Sequence, residues 1–194
     1  MIDRLNNSAL LPAPESNKVL STLITNSEKD LNKLKLGQIE ISKQAHNFSI
    51  GHFTIFSSTE REDLHGHNFQ LHCNVTAVLG DDGLIFDYAI LKGLMRDLCD
   101  EIDEKTILPG RSPHLKIGEQ DGYVSAIFNK EKLLFLKRDV MVLDISNTTI
   151  EEFAHYFLNI LVKHPDLQDR GIEGITVKIS SNPGQQGVAS WDNE

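Results

Sequence analysis

Apolar and polar positions alternate with period two through the first third of the chain after Gln38. Ile39 and Ile41, then Phe48, Ile50 and His52, take turns with more polar neighbours, the pattern of half-buried strands. A polar stretch, Ser57 to Asp63, separates them from a longer strand over about Leu64 to Leu79. On it His65, His67, Phe69, Leu71, Cys73 and Val75 share one parity. Gly80-Asp81-Asp82-Gly83 reads as a turn. The period then changes. Ile90, Leu91, Leu94, Met95 and Leu98 recur at helical spacing, with Asp87 placed to cap the helix and its end near Cys99 to Glu104.

Pro109 to Pro113 reads as a loop. Within 122–139, Tyr123–Phe128 and Leu133–Leu136 flank Asn129–Lys132 as an added hairpin. Thr149 and Glu152 form a capping box ahead of a second helix, whose apolar face is Phe153, Phe157, Ile160 and Leu161 and which Pro165 ends. Two last strands, Gly174–Ser180 and about Gly187–Trp191, meet at Asn182-Pro183-Gly184. Residues 1–36, with Pro12 and Pro14, read as an extension holding a short helix and a linker over Lys18 to Leu36; the domain proper is 37–194. The order strand, strand, helix, hairpin, helix, strand, strand predicts an α+β domain, an antiparallel sheet with two helices on one face. Such a sheet keeps open edges and one uncovered face, which closure between copies would cover, so a homo-oligomer is expected.

Composition narrows the function. The 194 residues are 40% hydrophobic, enough for one cored domain, and carry a formal charge of −9. That balance argues against nucleic acid and anionic membranes as partners. Two cysteines, outside any C-x-x-C, fit a reducing compartment, and no signal segment or long apolar span is legible, so a cytoplasmic protein is expected.

The chemistry concentrates between His52 and His67. His65 and His67 are two apart on one strand, so their imidazoles face the same way, and His52 precedes the polar turn on the neighbouring strand. Three neutral imidazoles with one open position make a catalytic zinc site. Cys73 shares that strand face but lies six residues beyond His67, about 20 Å along an extended strand, and reads as a small buried apolar residue.

Four blocks resemble the 6-pyruvoyltetrahydropterin and 6-carboxytetrahydropterin synthases, in that family's order: Phe48–His52, Leu64-His65-Gly66-His67-Asn68-Phe69, Leu84–Lys92 and Asn147–Ala154. The resemblance covers roughly 38–191. It implies the tunnelling fold, in which subunit sheets join into a barrel, with a hexamer built as a dimer of trimers and active sites at subunit interfaces. It also implies zinc on His52, His65 and His67, and a substrate derived from 7,8-dihydroneopterin triphosphate, in the queuosine or folate branch. The family's usual cysteine positions before H-G-H are Thr59 and Arg61 here; Glu60, five before His65, resembles the variant group in which glutamate replaces cysteine. The family's Asp-His pair corresponds to Asp103 and Glu104. Its pterin-anchoring glutamate corresponds to Ser181, and Thr149 matches a pterin-contacting position. The expectation is therefore a zinc-dependent pterin lyase or synthase. Two alternatives stay open: the same fold and zinc with another small heterocycle, and a non-catalytic binding or scaffold protein.

Overall fold

The structure is a computed structural model that describes residues 35–193; the expected extension, up to residue 34, lies outside the described residues. A seven-stranded sheet forms the frame. Its strands are β1 (Leu36–Ile41), β2 (Asn47–His52), β3 (His65–Val78), β4 (Lys105–Pro109), β8 (Val140–Leu143), β9 (Ile172–Asn182) and β10 (Gln185–Asp192). Helices α1 (Ala89–Ile102) and α2 (Ile150–Lys163) and a three-stranded sheet, β5 (Leu115–Gln120), β6 (Tyr123–Phe128) and β7 (Glu131–Leu136), complete it.

The long β3 organises the sheet. β9 pairs along one of its edges, Gln70 to Ala77. β1 and β2 share the other edge end to end, β1 against Cys73–Val78 and β2 against His65–Gln70. The gap between them is closed where the Leu71 N–H donates to the His46 carbonyl. β10 follows β9 as an antiparallel hairpin, with Gly184 at φ 106 in the turn, a conformation glycine adopts without strain. The sheet is not purely antiparallel as expected. β4 runs parallel to β2, and β8 parallel to β4. A turn cannot connect parallel neighbours, so α1 links β2's side of the sheet to β4, and the added sheet links β4 to β8.

One parity of β3 is buried throughout: Phe69, Leu71, Cys73, Val75 and Ala77. With Phe48 and Ile50 of β2 and Val177 and Ile179 of β9 it meets Leu91, Met95 and Cys99 of α1 and Phe153, Phe157 and Leu161 of α2 in one core. Both helices thus cover the same face, as expected. Each buried side chain of Leu, Phe or Ile size contributes about 1.5–3 kcal/mol through removal from water. At α1 the helical cap is Tyr88, and Asp87 supplies the capping oxygen from one residue earlier, accepting from the Ala89 N–H at 2.9 Å. At α2 the Thr149 hydroxyl accepts from the Glu152 N–H, but the Glu152 carboxylate turns to the Ser146 hydroxyl and N–H. Only half of the expected capping box is therefore formed.

The expected hairpin becomes a third strand richer, because Leu115–Gln120 pairs with β6. Its inner face, Leu115, Val124, Ala126 and Phe128, packs on Phe53, Ile55 and Leu108 as a second core. Gly187 of β10 sits where a Cβ would come within 2.3 Å of the Ile150 carbonyl and 2.6 Å of the Glu151 N. The edge strand is therefore pressed directly against the start of α2. No helix among the described residues is long and apolar enough to cross a membrane.

Candidate functional site

The buried stripe of β2 and β3 does not end in apolar residues. Register places His52 directly opposite His65, and His67 lies two further along the same face. The three rings converge, with centroids 4.6 Å (His52–His65), 5.4 Å (His52–His67) and 4.8 Å (His65–His67) apart. Their nitrogens fall within 4.8 Å of one another. Three imidazoles converging in this way are a donor set that fits a metal ion.

Main-chain carbonyls fix the tautomers. His52 Nδ1 lies 3.0 Å from the Thr148 carbonyl and His65 Nδ1 2.8 Å from the Asp63 carbonyl. An Nδ1–H donated there leaves Nε2 as the free lone pair, the orientation a metal-binding histidine needs. His52 Nε2 is buried and has no hydrogen-bond partner. A buried acceptor without a partner costs about 1–3 kcal/mol, and a metal ion would satisfy it. Burial lowers the His52 pKa below the ordinary imidazole value; the Thr148 carbonyl acts in the opposite direction, and His65 and His67 lower it further. A neutral ring is the ligand-competent form. The edges of Phe69 and Phe153, at 5.3 and 6.5 Å, hold the ring in place.

The segment 147–149 laces this end shut. The Asn147 amide accepts from the Ile55 N–H at 3.0 Å and donates to the Ile55 carbonyl at 2.8 Å. The Thr148 hydroxyl donates to the Phe53 carbonyl at 2.7 Å, so this buried threonine braces the chain after β2 while its carbonyl orients His52. Sequence reading explained Thr149 as a cap but assigned Asn147 and Thr148 no such role. Their signal is two consecutive polar residues just ahead of a helix that starts beside the three imidazoles.

The imidazoles open into a cleft of about 230 Å³. Thr149 and Ser181, the expected substrate contacts, both line it, as do Glu62, Glu151 and Gln185, which sequence reading left out. Glu60 does not. Its side chain is exposed, and its carbonyl accepts from the Phe56 and Ser57 N–H groups, making it the turn residue of the loop. Glu62, two further on, is paired to Thr54 in both directions: its N–H donates to the Thr54 carbonyl, and its carboxylate accepts from the Thr54 N–H, each at 2.9 Å. Burial pushes the Glu62 carboxyl up, but the Thr54 bonds and the facing His65 and His52 outweigh it and leave the pKa below the usual value. It is ionised at neutral pH.

Asp103 and Glu104 are not in this cleft. The Asp103 carboxylate accepts from the Ser49 N–H at 2.6 Å and the Glu104 N–H donates to the Ser49 carbonyl at 2.8 Å, with Glu104 at φ 58. Within one chain they tie the end of α1 to β2, three residues before His52. Cys73 and Cys99 lie in the main core, where burial pushes both thiols up to about 12, far from a nucleophile's range.

The fold and site together define an α+β protein with a three-histidine cluster able to hold a metal ion beside an ionised glutamate. A profile of the 6-pyruvoyl tetrahydropterin synthase family matches residues 40–190, and the chain belongs to that family of pterin synthases. A curated protein of Methanocaldococcus jannaschii, provisionally named a 6-carboxy-5,6,7,8-tetrahydropterin synthase, is 28% identical over 139 residues, 71% of this chain and 83% of its own length. The crystal structure of the Plasmodium vivax 6-pyruvoyl tetrahydropterin synthase is similar at a TM-score of 0.77 and 28% identity, covering 82% of this chain and 99% of that one. A variant of the P. vivax enzyme, described as a catalytic residue mutant with glutamate replaced by alanine, is similar at 0.77 and 27% identity, with the same coverage. The Plasmodium falciparum enzyme is similar at 0.76 and 28%, covering 81% and 99%. The fold is therefore the tunnelling fold of these synthases.

Proposed function

We propose that this chain is a zinc-dependent lyase or synthase acting on the side chain of 7,8-dihydroneopterin triphosphate or a related pterin, in the queuosine or folate branch. The observation that carries the reading is the convergence of three imidazoles, of which His52 and His65 are held by carbonyls in the ligating tautomer and His52 also has a buried, unpartnered Nε2. His52, His65 and His67 would hold zinc, which supplies a Lewis acid for a side-chain hydroxyl and the charge that develops on it.

The chain's own groups do the remaining work. Glu62, ionised and on the cleft wall, is the base that takes a proton from a side-chain carbon; it takes the role expected of Glu60, whose side chain faces solvent. The glutamate described as catalytic in the P. vivax enzyme supports a carboxylate in this role. The Thr54 N–H fixes one Glu62 oxygen and leaves the other for the substrate. Thr149 and Ser181 offer hydroxyls to the ring, and Asp103 and Glu104 would reach a cleft only from a second copy of the chain. That requirement, together with the edge strands β8 and β10, which pair on one side only among the described residues, favours a homo-oligomer, which we read as a hexamer; a cytoplasmic location stays part of this proposal.

A second reading keeps fold and zinc and changes the heterocycle. It is favoured by Ser181 and Gln185 on the wall, which cannot make the paired charged bonds a carboxylate gives to a pterin's amino and ring N–H groups. Incubation of the zinc-loaded protein with 7,8-dihydroneopterin triphosphate and identification of the product separates the readings. A 6-carboxy, 6-pyruvoyl or 6-hydroxymethyl pterin supports the first. Absence of turnover with about one zinc per chain supports the second. Absence of both turnover and zinc returns the protein to a non-catalytic binding role.

A further inference from the structure

We propose that Arg61 is the positioning residue of Glu62 and that the inserted sheet β5–β7 exists at this place in the fold to hold Arg61; this rests on the reading of Glu62 as the base. Arg61 is a guanidinium taken largely out of water, its side chain 14% exposed. Nη1 donates to the Glu62 carbonyl at 2.7 Å. Nη2 donates to the Glu131 carboxylate on β7 at 2.7 Å. Its Cζ lies 5.1 Å from the ring centre of Phe53 and 5.8 Å from that of Phe128 on β6. Both distances are within cation–π range. Phe128 and Glu131 flank the β6–β7 turn, so the far end of the inserted sheet is a socket and Arg61 is the plug.

The socket matters because of what lies next to it in the chain. In extended backbone neighbouring side chains point to opposite sides, so Arg61 goes to the inserted sheet and Glu62 to the cleft. The guanidinium is rigid and planar, so anchoring one Nη on Glu131 sets the direction of the other. That other Nη grips the carbonyl of the residue carrying the carboxylate. In the loop between β2 and β3, the Asn147 and Thr148 bonds hold Ile55 and Phe53, and the Glu60 carbonyl closes the turn; the stretch that carries Glu62 has the Ile55–Arg61 bridge and the Thr54–Glu62 pairing beside the Arg61 anchor. A sheet that does not line the cleft thus fixes the position of its base.

The test uses the full zinc-loaded chain. Arg61→Met keeps length and apolar contact with the two rings and loses both N–H forks; Glu131→Gln keeps shape and removes the exposed charge. The Thr54 amide reports directly on the Glu62 carboxylate it donates to. Its hydrogen exchange should quicken about tenfold or more in Arg61→Met, and less in Glu131→Gln, while amides of β3 stay protected. With 7,8-dihydroneopterin triphosphate, kcat should fall about 10²-fold, as for a group misplaced by about 1 Å, with KM and zinc content unchanged. Arg61→Met should add nothing in a Glu62→Gln background, and Arg61→Lys, which lacks the fork, should not rescue. Unchanged Thr54 exchange in both variants, or a full further loss on top of Glu62→Gln, overturns the proposal. Full turnover by Glu62→Gln instead overturns the reading of Glu62 as base and leaves the exchange result to stand or fall by itself.

Discussion

The main sheet buries its helix-covered face and the inserted sheet its inner face, and they differ in what they place at the end of the buried stripe. The main sheet is covered by two helices, and its stripe runs from Ala77 down β3 into three imidazoles. The inserted sheet covers a smaller core, Phe53, Ile55 and Leu108, and ends in an arginine held between two phenylalanines. Its outer face leaves Tyr123, Leu134 and Leu136 exposed. The main sheet therefore ends in an imidazole nitrogen with no partner within the chain, whereas at the inserted sheet both Nη atoms of the arginine find partners within the chain and only its Nε does not. Chemistry belongs to the first arrangement and geometry to the second.

The largest effect expected is loss of metal. His65→Ala should reduce zinc from about one per chain to near none by elemental analysis, while substitutions on the outer face of the inserted sheet, such as Leu134→Ser, leave it unchanged. Retention of full zinc by His65→Ala would remove the contrast between the sheets. Next comes turnover. Glu62→Gln should lower it about 10²–10⁴-fold, the range of a general base, and Glu60→Gln should change it little. Equal effects from the two would mean the loop acts by bulk charge.

Core truncation then compares the sheets in stability. Phe153→Ala, in the main core, should cost about 3–5 kcal/mol in global unfolding by denaturant. Phe128→Ala should instead loosen β5–β7 first, seen as faster exchange there while β3 and β9 remain protected. A common global loss in both would make the inserted sheet part of one cooperative unit.

The smallest effect concerns pH. His46, buried beside α1, has a pKa lowered by burial and then by Arg96 and Lys43. Its folded pKa lies below the unfolded value, so the unfolded chain binds more protons near pH 6. Its contribution is complete above about pH 6.5 and is lost as pH falls through that value toward the folded pKa. The urea midpoint should drop between pH 7.5 and 5.5, and His46→Asn should flatten that drop.

Strict parity made the convergence of the three histidines readable from residues alone: His52, Ile50 and Phe48 on one strand, His65, His67 and Phe69 on the next. The two helices were equally plain from their spacing. β4 and β8 were not read because Ile107 faces one core and Leu108 the other. A strand buried on both sides shows a continuous apolar run with no alternation, and these are only five and four residues long. β5 was missed because Gly118, Lys116 and Glu119 dilute its pattern. Glu60 was read as the base from its resemblance to the family's glutamate variants. The place of Glu62 on the cleft wall goes with the bond from the Thr54 N–H, a cross-loop contact that no local period encodes.

The direct opposition of His52 and His65 has one more consequence. A slip of β2 against β3 by a single residue would turn one histidine to the other face and leave no third nitrogen within reach. An ion bound by all three rings is therefore bound only by the correctly aligned pair of strands, and every misaligned chain is left without it. If the three rings hold an ion as proposed, metal content would report strand alignment, and a chelator added during refolding should enrich the chains that paired wrongly.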